Sequence, residues 1–119
     1  MSRRTDRVSS LIQIELAELV LRRLKDPRLG FVTITGVDVA PDLKSARVFY
    51  SVMGQEKEKV DAGKALEHAS GFLQHQIALD LKFRFTPKLS FHRDDTLDES
   101  LKIEKILREL KEEDREDRK

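Results

Sequence analysis

The tightest constraint on this chain's fold comes from two β-rich runs set close together. The first is 31-FVTITGVDV-39 and the second is 46-ARVFYSVM-53, joined by the loop APDLKS. In the second run Ala46, Val48, Tyr50 and Val52 face one way, while Arg47, Phe49 and Ser51 face the other. That period of two marks a strand with one side buried. In the first run Val32 and Ile34 share a face, but the next apolar pair is Val37 and Val39. The odd step between the pairs predicts a bulge or bend at Thr35-Gly36. The short connection suits an antiparallel hairpin.

Helical patterns flank the hairpin. Residues 5–25 carry Val8, Leu11, Ile12, Leu16, Leu19, Val20 and Leu24 at three- and four-residue steps, the stripe of an amphipathic helix. Asp26-Pro27 ends it, because a residue before proline disfavours the α region. After Gly54 the pattern is helical again through Val60, Leu66 and Ala69, then through Leu73, Ile77 and Leu81. The segment FRFTP at 83–87 leaves the helix. In 88-KLSFHR-93, Leu89 and Phe91 alternate inward, which predicts a third strand.

Thr96-Leu97-Asp98-Glu99 matches a capping box. It predicts a last helix to about residue 113 through Leu101, Ile103, Ile106, Leu107 and Leu110. The terminal KEEDREDRK has nothing apolar to bury and is expected to be disordered. The predicted order is helix, strand, strand, helix, helix, strand, helix. This is an α+β chain whose three-stranded sheet is covered by helices on one face. The expected organisation is a body at 1–95, an appended helix at 96–113 and a charged tail at 114–119.

Composition narrows the function. Hydrophobic residues make up 39% and charged residues 38%, enough for one modest core beneath a highly charged surface. Aromatics are only 6% and Trp is absent, so the core should be aliphatic. Without Cys there is no disulfide framework and no thiolate chemistry, which fits a cytoplasmic setting. No apolar run reads as a signal peptide or a membrane span. The net charge of +1 conceals a gradient, with a basic head and an acidic-leaning tail. Such a head suits a polyanion, although a solvated mixed-charge surface explains the same charges.

Little in the sequence carries catalysis. His68 and His75 stand about two turns apart, roughly 10 Å of rise, too far to share one zinc unaided. No Cys could complete such a site. Asp94, Asp95, Asp98 and Glu99 cluster where a helix should begin, so capping explains them better than magnesium binding or catalysis. Phosphate-loop, dinucleotide-binding and nucleophile-elbow motifs are absent. Neither a metal, a cofactor nor a small-molecule substrate is expected.

The puzzle is 65-ALEHASGFLQHQIAL-79. Gly71, preceded by Ser70, sits in an otherwise strong helical segment at a cost of roughly 1 kcal/mol relative to alanine. It could end one helix and start another, opening free amides to a phosphate. Gln74 and His75 would follow on the same turn and donate to a sugar–phosphate backbone. Alternatively, Gly71 only permits close packing against the sheet.

Strand, strand, helix, kink, helix, strand after a leading helix is the order of the KH domain in its second topological form. Such modules clamp single-stranded nucleic acid at a GxxG loop. Here the junction is the shorter step Ala69-Ser70-Gly71. That step resembles the bacterial ribosome-binding factor A family. The stretches RRTDRVSSLIQIELAELV, 26-DPRLGFVTITGVDVAPDLKSARVFYSV-52 and 87-PKLSFHRDDTLDESLKIEKIL-107 also look like that family. The resemblance covers roughly residues 3–108.

It implies a non-enzymatic assembly factor that binds the free 30S subunit and 16S rRNA. It further implies a role late in small-subunit maturation, including processing of the 16S rRNA 5′ end. Members are associated with growth in the cold and leave the subunit before translation. A monomer is expected.

The residues predicted to meet phosphates are Arg3, Arg4, Arg7, Arg22, Arg23, Lys25 and Arg28 on the first helix and its turn. Lys44 and Arg47, then Lys82, Arg84 and Lys88, extend the set. Such contacts position a protein on nucleic acid and carry little sequence information. Phe49 is either an exposed stacking platform or buried beneath the last helix. The competing function is a protein-interaction adaptor that uses a sheet edge or the last helix.

Overall fold

The computed structural model describes residues 3–95 and 106–112. The elements in order are α1 (Arg3–Arg22), a short 3-10 helix (Pro27–Leu29), β1 (Val32–Val39), β2 (Ser45–Val52), α2 (Glu56–Leu81) and β3 (Lys88–Arg93). Residues 106–112 are also helical. The capping box at 96–99 and the tail at 114–119 lie outside the described residues, as does most of the helix expected at 96–113.

The hairpin forms as its alternation dictates. β1 and β2 pair antiparallel, with Ile34 opposite Tyr50 and Gly36 opposite Phe49. Thr35 is therefore the extra residue of a bulge, where the apolar offset placed it. The Lys44 N–H donates to Asp42 Oδ1 (3.0 Å) and Leu43 takes a left-handed φ of 60°, which turns the chain tightly between the strands. β3 lies on the other side of β2 and runs parallel to it. Parallel neighbours need a crossover, and α2 supplies it. The order and pairing are those of a KH-like α+β fold.

The core lies between one face of the sheet and the two helices. α1 contributes Ile12, Leu16, Leu19 and Val20; the sheet contributes Ala46, Val48, Tyr50, Val52 and Leu89; α2 contributes Leu66, Leu73 and Ile77. α1 also packs along β1, where the Val39 N–H donates to Ser9 Oγ (3.2 Å). The α1 helix stops at Arg22, short of the predicted residue 25, and the Leu24 N–H reaches back to the Leu19 carbonyl (3.1 Å).

The largest departure concerns α2. No helix ends or begins at Ala69-Ser70-Gly71; one helix runs without interruption from Glu56 to Leu81. Energetics account for this. One glycine costs roughly 1 kcal/mol in a helix, whereas burying Leu73 and Ile77 beyond it gains about 1.5–3 kcal/mol each. Both side chains are fully buried, so the helix continues past its weakest residue. The free amides of a second helix start, expected at Gly71, do not exist. The helix ends instead at Lys82, which takes the left-handed cap (φ 56°) while the Phe83 N–H donates to the Ala78 carbonyl (3.1 Å). A glycine would ordinarily hold that position.

Candidate nucleic-acid interface

The predicted cations separate into two groups at the two ends of α1, a helix about 30 Å long. One group surrounds its start. Arg3, Arg4 and Arg7 lie in its first turns, and Arg4 lines a groove together with Lys44 and Arg84. Lys88 is tied to this end by its N–H, which donates to the Lys44 carbonyl (2.9 Å). Lys82 precedes Arg84 at the end of α2. None of these seven side chains has an ion-pair partner among the described residues. Arginines also work against the dipole of a helix N-terminus, where acidic groups are favoured. Asp6 is the single acidic residue of that first turn, set against the three arginines.

The other group holds Arg22, Arg23, Lys25 and Arg28, and half of it is engaged. Arg22 meets Glu18 at 2.9 Å. Arg28 grips Asp26 through Nε (3.0 Å to Oδ1) and Nη2 (2.6 Å to Oδ2). The same carboxylate accepts the Arg28 N–H (3.0 Å) as the cap of the 3-10 helix. These bonds hold the Asp26 carboxyl below its ordinary range. Arg47, expected to face phosphate, pairs across the hairpin with Asp38 (2.6 Å) and lies 5.7 Å over the Phe49 ring. Exposed pairs such as those of Arg22 and Arg47 are worth about 0–1 kcal/mol, so a phosphate can compete for them. Arg28, locked by a capping carboxylate, is the poorest donor of the set.

The predicted contacts between Ala69 and His75 divide by face. Ala69 and Ser70 are half-buried. The Gln74 side chain turns inward, where its Oε1 accepts the Leu89 N–H (3.1 Å) and anchors the start of β3. Of these predicted residues, only Gly71 and His75, one turn apart, open outward. A Cβ built on Gly71 would meet nothing within 4 Å. The packing explanation for this glycine therefore fails along with the helix break, and what remains is bare backbone on an exposed face. Phe49 is half-buried, its ring centroid 5.8 Å from that of His92.

Three features escaped the sequence reading. Gly63 is the glycine that packing requires, since a Cβ there would sit 2.8 Å from the Tyr50 hydroxyl oxygen. Glu15 of α1 meets Asp80 of α2, and the hydrogen bond between the two carboxyls, with a smaller contribution from burial, raises the Glu15 pKa. Phe85 projects into solvent at 82% exposure with the Arg84 guanidinium 5.8 Å from its ring. The alternating FRF of that loop was the available signal. No group of three or more His, Cys, Asp or Glu among the described residues is placed to hold a metal ion. No helix among them is long and apolar enough to cross a membrane.

Comparison with known proteins agrees with this geometry. The family model for ribosome-binding factor A matches residues 4–107. A ribosome-binding factor A from Desulfatibacillum aliphaticivorans is 47% identical over 107 residues, covering 90% of this chain and 87% of the relative. The crystal structure of ribosome-binding factor A from Thermus thermophilus superposes with a TM-score of 0.67 at 26% identity, covering 75% of this chain and 93% of that one. A homology model of the Thermus thermophilus factor, fitted into a cryo-EM map of its complex with 30S, superposes with a TM-score of 0.62 at 27% identity, covering 72% and 90%. A hairpin with its bulge, a crossover helix and a matched pattern over nearly the whole described chain place this protein in the ribosome-binding factor A family.

Proposed function

We propose that this protein is a non-enzymatic assembly factor that binds the free 30S subunit through 16S rRNA. It promotes late maturation of the small subunit in the cytoplasm, including processing of the 16S rRNA 5′ end. The observation that carries the reading is the complex in which a relative of the same fold sits on 30S. The cations at the start of α1, without an ion-pair partner among the described residues, supply the chemistry, because such a guanidinium or ammonium meets a phosphate without breaking a described bond. The body that does this spans residues 1–95 and acts as a monomer.

A salt series of binding to purified 30S subunits tests the proposal. Contact with several phosphates predicts an affinity loss on the order of 10²–10³-fold between about 50 and 200 mM salt. A flat response would favour the adaptor reading. That alternative draws on exposed apolar side chains, Ile14 at 69% and Leu21 at 77% on α1 and Ile106, Leu107 and Leu110 at 54–56% in the last helix.

A further inference from the structure

The groove at the start of α1 is more than a patch of charge. It is bounded by three separate segments, the first turns of α1, the β1–β2 loop and the α2–β3 loop, and encloses about 710 Å³. That lies within the range of pockets that take small ligands. Its charged lining is Arg4, Lys44 and Arg84 against the single carboxylate of Asp42. Asp42 accepts the Lys44 N–H at 3.0 Å and keeps its charge, so three cations against one carboxylate leave the lining net positive. Phe83 is half-buried against the core and forms part of the wall. Phe85 stands 82% exposed at the rim. An exposed phenyl ring contributes nothing to the core, and here it is held beside a guanidinium at 5.8 Å.

We propose that this groove binds one unstacked nucleotide of single-stranded RNA, with Phe85 stacking on the base and Arg4, Lys44 and Arg84 holding the flanking phosphates. The proposal rests on the RNA-binding reading above and assigns it a subsite. A duplex buries its base faces in its own stack, so a protruding aromatic ring selects an unpaired nucleotide. Cations beside an aromatic platform are the recurring solution for single strands, because every base offers a π-face and every linkage a charge. The two loops are also fixed before binding. The Lys88 N–H donates to the Lys44 carbonyl at 2.9 Å, and Pro87 beside it in the groove wall is fully buried. Little ordering entropy is therefore lost when a nucleotide enters.

The test uses the full chain and a labelled ten-nucleotide single-stranded RNA of mixed sequence, with 30S binding measured in parallel. Phe85→Ala should weaken RNA binding about 5- to 100-fold. Its high exposure predicts an unchanged fold by circular dichroism. Because the chain lacks Trp, Phe85→Trp creates a clean reporter. It should retain affinity, and its fluorescence should be quenched by the RNA. Arg84→Ala and Lys44→Ala should each flatten the salt slope by about one. RNA binding unaffected by Phe85→Ala, or a tryptophan left unquenched at saturating RNA, overturns the subsite. If the protein still binds 30S under those conditions, the function proposed above survives without it. An acidic peptide that quenches the tryptophan where RNA does not would assign the groove to a protein partner and overturn the proposal.

Discussion

Gly63 and Gly71 lie about two turns apart on the same helix, and they answer to different neighbours. Gly63 faces the sheet, where the Tyr50 hydroxyl leaves no room for a side chain. Gly71 faces outward, where a side chain would touch nothing. The first omission is explained by the protein's own interior. The second costs helix stability and returns no contact inside the described chain. A glycine in a helix is thus legible only through what stands opposite it.

Substitutions can break or sharpen this contrast. The largest effect is expected at the inward position. Gly63→Ala forces the Tyr50 ring to move in a packed core, at about 1–3 kcal/mol for overpacking, against roughly 1 kcal/mol regained in helix propensity. A net loss of about 1 kcal/mol, within a range of about 0–2, should lower Tm by roughly 5 °C. Adding Tyr50→Phe removes the clashing oxygen and leaves the next ring atom at 3.9 Å, so the double variant should recover most of that loss. A double-mutant cycle measured by thermal melting reads the coupling directly. If the two substitutions simply add, the hydroxyl is not what excludes a side chain at Gly63.

A smaller effect is expected where α2 meets α1 rather than the sheet or the outside. The folded state raises the Glu15 pKa above its ordinary 4.5, chiefly through the Asp80 carboxyl. A raised carboxyl pKa means that the native state holds this proton more tightly than the unfolded state does. The contribution to stability is therefore full in acid and is lost as pH rises through the raised value. At neutral pH two carboxylates face each other. Glu15→Gln should then be slightly more stable than the parent at pH 7, by under about 1 kcal/mol because solvent screens the pair. The advantage should shrink as pH falls toward 4.5. Melting curves across pH 4–8 that run parallel for the two proteins would show that the pair is not coupled.

How much was legible in the sequence follows the same division. The bulge at Thr35, the hairpin and the bounds of β3 could be read because each depends on a local period of two. The continuity of α2 could not, because it turns on Leu73 and Ile77 finding a core that local propensity does not describe. Among the candidate RNA contacts, Arg22–Glu18 and Arg28–Asp26 join near neighbours in the chain, and their engagement could have been anticipated. Arg47–Asp38 depends on the strand register and could not. The convergence of Arg4, Lys44 and Arg84 requires three distant segments to meet, which no spacing announces. Phe85 is the instructive omission, since its FRF signal was visible but was read only as the end of a helix.

We propose that Gly71 is kept bare for a partner rather than for the fold. Gly71→Ala measures this most directly, with Tm and affinity for purified 30S subunits determined on the same preparation. The account predicts a rise in Tm of a few degrees, corresponding to up to about 1 kcal/mol of helix stability, together with a several-fold loss of 30S affinity. A protein that is more stable and binds 30S as tightly as before would contradict it.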